Sequence, residues 1–217
     1  MSLTQSRHKA ILFDLDGTIL DTRALVAASY LHTFKEVLEM EMSASVVMRD
    51  YGRPLRYTFA RYAPPAKVEE MMQVYRDFNL EHHDAMAVLY PGGYEGLTKI
   101  KELGLPMGVV TSKKRPIAER GLRLHHLEDL FEILVCEEDT VEHKPEPEPL
   151  QFAARKLGLI PEEMIYVGDS PYDLMCANSA GAAAIAVAWS TFTAEELLEL
   201  KPLLYVHDLN EIVKLFQ

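Results

Sequence analysis

The chain has 217 residues, of which 48% are hydrophobic and 25% charged, a balance that excludes disordered, collagenous and membrane-embedded classes. Its 22 Lys+Arg against 33 Asp+Glu give a net charge of −11, which excludes duplex DNA and anionic lipid as partners, since both are held by cations that neutralise phosphates. A small anion can still bind at a local site. At about 150 residues per domain, the length suits one large domain or one interrupted by a smaller insertion. Cys136 and Cys176 are isolated and form no disulfide framework or zinc motif. Residues 1–9 are polar without a signal-peptide pattern, and the longest apolar run, 182–189, is too short for a membrane span. A cytoplasmic protein with no nucleic-acid or membrane partner is expected.

Residues 9–15 (KAILFDL) form an apolar run that stops at acidic residues and glycine, as a buried parallel strand does on reaching a functional loop. From 22 to about 88 the pattern is helical, with no convincing strand: 23–40, a short helix near 44–50, 55–62 and 66–87. Gly52-Arg53-Pro54 and Pro64-Pro65 separate these helices, and Tyr90-Pro91-Gly92-Gly93 ends the block with a strong turn signal. Strand and helix then alternate, with strands at 106–111, 131–136, 164–168 and 182–186 and helices at 94–103, 115–124, 147–157 and 171–180. The expected fold is α/β: a Rossmann-like doubly wound parallel sheet from residues 1–18 and 90–217, interrupted by an all-α insertion over 19–89. Such a sheet binds ligands at the carboxyl ends of its strands.

The first strand delivers Asp14-Leu15-Asp16-Gly17-Thr18, and residues two apart in an extended chain point the same way, so both carboxylates can face one site. Two anions that close call for a cation, and magnesium favours such oxygen ligands. A second acidic pair lies in Gly168-Asp169-Ser170-Pro171-Tyr172-Asp173, at a strand-to-helix junction where helix capping is the plain alternative. Asp169 would complete the magnesium shell, and Asp173 would bind through water or orient another ligand. Thr111-Ser112 closes a strand before a helix, where hydroxyls and free amides can hold phosphate oxygens. Lys144 precedes Pro145 and can serve as a restrained point charge.

Taken in order, FDLDGT, VVTS, Lys144 and VGDSPYD resemble the four motifs of the haloacid dehalogenase (HAD) superfamily in its phosphatase branch, and the helical block is similar to that superfamily's C1 cap. The resemblance implies that Asp14 is a nucleophile forming an aspartyl-phosphate, while Asp16 protonates the leaving group and then activates water. It implies Mg2+ held by Asp14, the backbone carbonyl of Asp16 and Asp169, with Asp173 in support. Thr111 and Lys144 would hold the transferring phosphoryl group, and Gly17, Thr18 and Ser112 would contact the substrate. Asp16 points to phosphoryl transfer, because the dehalogenase branch lacks that second acid.

The cap would select the substrate. Gly52-Arg53-Pro54-Leu55-Arg56 stands where the family has its specificity loop, so Arg53 or Arg56 would bind a second anionic group, with a solvated surface position as the plain alternative; Lys113 and Lys114 would add positive potential at the mouth, with exposed lysines at a helix start as the alternative. Residues 31–34 (LHTF), 75–79 (YRDFN) running into 82–84 (HHD), and 141–150 (VEHKPEPEPL) resemble the bacterial HAD-type inorganic pyrophosphatases. The expected reaction is therefore hydrolysis of pyrophosphate to two phosphates. Phosphatases of small esters, above all 2-phosphoglycolate, share the motifs. A β-phosphoglucomutase-like enzyme ranks below them because of Thr18, and a non-catalytic sensor of a phosphate metabolite is the alternative outside enzymes. A monomer or homodimer is expected. His82-His83 and His125-His126 are adjacent pairs without helical metal-ligand spacing, which leaves His143, beside Lys144, as a supporting group.

Overall fold

The computed structural model describes residues 7–216, so the polar start read above as leaderless lies mostly outside the described residues. Strand β1 (Ala10–Phe13) is buried on both faces. Its Ile11 and Phe13 join one apolar cluster and its Ala10 and Leu12 the opposite one, the two-residue period of a strand sandwiched between helical layers.

A short antiparallel ribbon follows, β2 (Leu20–Asp21) with β3 (Val88–Leu89). Between its strands lie α1 (Arg23–Leu38), α2 (Ala44–Val47), a 3-10 turn (Met48–Asp50), α3 (Leu55–Ala60) and α4 (Pro65–Met86). These helices enclose their own aromatic cluster. The Phe59 ring meets those of Tyr30 and Phe34 edge-on at 5.5 and 5.9 Å, an arrangement that adds to the area the rings bury. The ribbon differs from the strandless stretch expected here, because two residues per strand carry no alternation to read.

The chain then runs through α5 (Gly93–Lys101), β4 (Met107–Val110), α6 (Arg115–Leu124), β5 (Ile133–Val135), α7 (Glu148–Leu157) and β6 (Met164–Gly168). It ends with α8 (Pro171–Ala180), β7 (Ala183–Val187), α9 (Ala194–Leu198), β8 (Leu204–Val206) and α10 (Asn210–Val213). Six strands form one parallel sheet in the order β5-β4-β1-β6-β7-β8, so the protein is α/β and Rossmann-like. The chain winds outward to β5 on one side, then crosses over and winds outward from β6 on the other. The crevice between β1 and β6 is therefore the topological switch point, where doubly wound sheets bind ligands. Strand β8 and its flanking helices lie beyond the last element expected from sequence. No helix among the described residues is long and apolar enough to cross a membrane.

Candidate active site

The ends of β1 and β6 set the site. Phe13 pairs with Val167, and the Asp14 amide still donates to the Val167 carbonyl at 2.9 Å, so the ladder carries Asp14 to the rim beside Gly168 and Asp169. The chain then turns back at Gly17, whose φ of +89° is a conformation that suits glycine. A Cβ there would also lie 2.4 Å from Asp169 Oδ2, so the turn and the acid can be this close only because position 17 has no side chain.

Asp14, Asp169 and Asp173 bring carboxylate oxygens within 4.8 Å of one another, and all three are buried. Lys144 enters the cluster from the loop before α7, after β5. Its Nζ donates to Asp14 Oδ1 at 2.9 Å and to Asp173 Oδ1 at 2.6 Å, and it is itself only 3% exposed. The Tyr166 hydroxyl, anchored on the Val110 carbonyl at 2.7 Å, lies 3.3 Å from the same ammonium. The other Asp173 oxygen accepts from the Ser170 amide at 3.0 Å and the Ser170 hydroxyl at 2.6 Å, forming the capping box that starts α8. Both oxygens of Asp173 are therefore committed. It caps a helix and holds Lys144 beside Asp14.

Three carboxylates against one ammonium leave two negative charges in a buried site. Charge at that depth is costly unless compensated, and burial accordingly pushes Asp14 up to about 7 and Asp169 well above the usual carboxylate range. Burial opposes the Lys144 charge too, but Asp14 and Asp173 hold its ammonium above the ordinary lysine range. Asp169 Oδ2 is buried without a hydrogen-bond partner among the described residues. A hard divalent cation fits this donor set in charge, in ligand type and in the oxygen left unsatisfied.

Asp16 stands apart from that cluster. Its carboxylate accepts from Lys113 Nζ at 2.7 and 2.8 Å and from the Thr22 hydroxyl at 2.9 Å. It faces a cavity of about 330 Å³ between the helical block and the sheet, lined also by Asp14, Thr111, Lys144 and, from the helical block, Arg53 in the bend before α3 and Arg76 on α4. That volume lies at the small end of ligand pockets.

Several expected substrate contacts are placed otherwise. Thr18 is fully buried, and its hydroxyl donates to Asp169 Oδ1 at 3.3 Å, so it steadies an acid; Gly17 packs against that same acid. The Ser112 hydroxyl donates to the Gly52 carbonyl at 3.2 Å and ties the sheet to the specificity-loop position, although the residue still borders the cavity. Arg56 points outward to an exposed ion pair with Glu69 and does not line the cavity. Lys113 does line it, but its ammonium is bound to Asp16. Arg53 faces the cavity with its guanidinium stacked between Tyr57 and Tyr172, each ring centroid 4.3 Å away. Arg76 and Glu137 are lining residues that sequence reasoning missed. The signal for Arg76 was present: it lies four residues after Met72 and three before Asn79, on the border of the buried stripe of α4.

The profile of the haloacid dehalogenase-like hydrolases matches residues 11–187. A relative from Bacillus velezensis named pyrophosphatase PpaX is 38% identical over 200 residues, which is 92% of each chain. Another from Caldanaerobacter subterraneus, provisionally given the same name, is 41% identical over 208 residues, covering 96% of this chain and 94% of its own. A crystal structure of a predicted phosphoglycolate phosphatase from Haemophilus somnus superposes with a TM-score of 0.85 at 25% identity, covering 97% of this chain and 99% of its own. The chain belongs to the haloacid dehalogenase-like hydrolase family.

Proposed function

We propose that the chain is a magnesium-dependent phosphohydrolase that works through an aspartyl-phosphate on Asp14, and that its substrate is inorganic pyrophosphate. The observation that carries the reaction type is the separation of two acids two residues apart. Asp14 lies in the buried acidic cluster, paired with Lys144, while Asp16 lies on the cavity side, held by Lys113 and Thr22. One carboxylate is placed to attack and the other to exchange protons with the leaving group.

In the first step an Asp14 oxygen bonds to phosphorus, the bond to the leaving oxygen breaks, and that oxygen takes a proton from Asp16. In the second, water gives a proton to Asp16 and attacks the same phosphorus, releasing Asp14. Lys144 and Thr111 hold the phosphoryl oxygens as charge spreads over them. Asp14 and Asp169 would hold Mg2+ together with the Asp16 carbonyl, with Asp173 fixing Lys144 beside them. Bound there, the ion supplies the positive charge that keeps Asp14 ionised and lets an anionic phosphoryl group approach it. Residues 19–89 would act as the cap that closes over the leaving group and excludes bulk water.

Pyrophosphate is supported by the names of relatives at 38% and 41% identity and by arginines facing the cavity from the cap. Phosphoglycolate is the second reading, favoured by the named structural neighbour. Phosphate release from pyrophosphate, 2-phosphoglycolate and sugar phosphates, measured side by side at low concentration with magnesium, decides between them. The highest kcat/KM is expected for pyrophosphate, and a higher value for phosphoglycolate overturns that assignment.

A further inference from the structure

The cations lining the cavity are not equally available: Lys114 is exposed to solvent at the mouth, and the other four lie deeper. Lys144 is held by Asp14 and Asp173, and Lys113 by both oxygens of Asp16. Arg53 has its faces covered by two tyrosines, while its buried Nε has no hydrogen-bond partner among the described residues. Arg76 reaches the cavity from α4, and its ion pair with Glu137 spans 3.9 Å, the loose limit of such a contact. The adjacent Asp77 accepts from Gln73 at 2.8 Å, and Arg76 makes its ion pair with Glu137. Glu137 is itself a cavity residue, fixed on the sheet side where its amide donates to the Lys113 carbonyl at 3.1 Å.

We propose that Arg76 is a specificity-determining residue that binds the leaving phosphate of a diphosphate substrate, and that Glu137 occupies its guanidinium until that phosphate arrives. The inference rests on the pyrophosphatase reading and deepens it. A leaving phosphate is a compact multiple anion that needs a cation beyond those holding the transferring group. The planar fork of an arginine suits phosphate oxygens, and a loose 3.9 Å pair is readily exchanged for charge-assisted hydrogen bonds. Arg53 approaches from a different cap segment, so the two guanidiniums would embrace the leaving group from two sides. A small ester without a second anionic group has nothing to offer Arg76.

The test compares pyrophosphate with phenyl phosphate in the full-length enzyme with magnesium. Arg76→Ala is expected to raise KM for pyrophosphate roughly 10- to 100-fold, the loss of a charge-assisted contact, with kcat within about threefold. Its kcat/KM for phenyl phosphate should stay within about twofold, and Arg76→Lys should recover part of the loss. Glu137→Gln should lower KM for pyrophosphate, and this gain should vanish in the Arg76→Ala background, because the two residues act as a pair. Equal losses on both substrates would mark Arg76 as structural and overturn the proposal, as would an unchanged pyrophosphate KM or a Glu137→Gln effect that survives without Arg76. If the wild-type enzyme releases no phosphate from pyrophosphate, the pyrophosphatase reading itself fails, and that is seen before any substitution is made.

Discussion

Lys113 donates to both carboxylate oxygens of Asp16, at 2.7 and 2.8 Å, across 97 positions of sequence. The residue that follows the second motif is thereby bound to the second acid of the first motif, where it would orient the proposed proton carrier. Lys113→Met leaves Asp16 with the Thr22 hydroxyl as its one side-chain partner among the described residues. We expect kcat for pyrophosphate to fall by about 10- to 100-fold, within the range of general acid–base catalysis. An aryl phosphate with a good leaving group, which needs little proton donation, should lose markedly less; equal losses on the two substrates would contradict this role.

Lys144 is buried between Asp14 and Asp173, so Lys144→Ala leaves two buried acids without their cation. Breaking a buried pair in this way costs about 3–5 kcal/mol, to be read as a lower urea midpoint. Lys144→Met combined with Asp173→Asn removes charges of both signs and should restore much of that stability while turnover stays abolished. Restored turnover in the double variant would show that Lys144 serves only the fold.

Gly17→Ala places a methyl group against the Asp169 carboxylate at a backbone angle of +89°. The strain is about 1–3 kcal/mol, and relief requires Asp169 to move. The expected result is a lower melting temperature together with at least about a tenfold rise in the magnesium concentration for half-maximal activity. A variant that lost stability but kept its magnesium requirement unchanged would contradict the close packing of turn and acid.

Burial raises Asp14 from an ordinary 3.8 to about 7, so between those values the folded chain keeps a proton that the unfolded chain has released. With a chelator present, the contribution of Asp14 to stability is full below about pH 4, declines as pH rises toward 7, and levels off above. Asp169, raised in the same direction by burial, adds to the decline. Magnesium binds the ionised form, so the gain in melting temperature on adding it should be larger at pH 8 than at pH 5. Calorimetry with and without the ion at the two pH values checks this, and equal gains would contradict the assignment of these acids as ligands.

The sequence is most readable where chemistry coincides with a strand end. Asp14 and Asp169 each follow an apolar run directly, so a parallel sheet brings them together whatever the connections between them do. Lys144 and Asp173 are marked by a following proline and by a helix start, and the structure gathers both into the same cluster. Residues whose partners are distant in sequence are less legible. The choice of Arg56 depends on Glu69 across two helices, and that of Ser112 on a carbonyl 60 positions away. Thr18 reads like a substrate contact until its neighbour proves to be Asp169, 151 positions on. Arg76 is less legible because it stands at the border of the buried stripe of α4, where a charged residue reads as solvated. Strand β8 is three residues long and only partly buried, too short to carry an alternation.

The proposed mechanism requires an oxygen of Asp14 to bond to phosphorus during turnover. Acid quenching of the enzyme with magnesium and 32P-labelled pyrophosphate during the first turnovers, followed by peptide mapping, tests it directly. The label is expected on the peptide that contains Asp14, and to be absent from the Asp14→Asn variant, which should also be inactive. Turnover that persists in Asp14→Asn, or rapid phosphate release with no labelled peptide at any quench time, would contradict it.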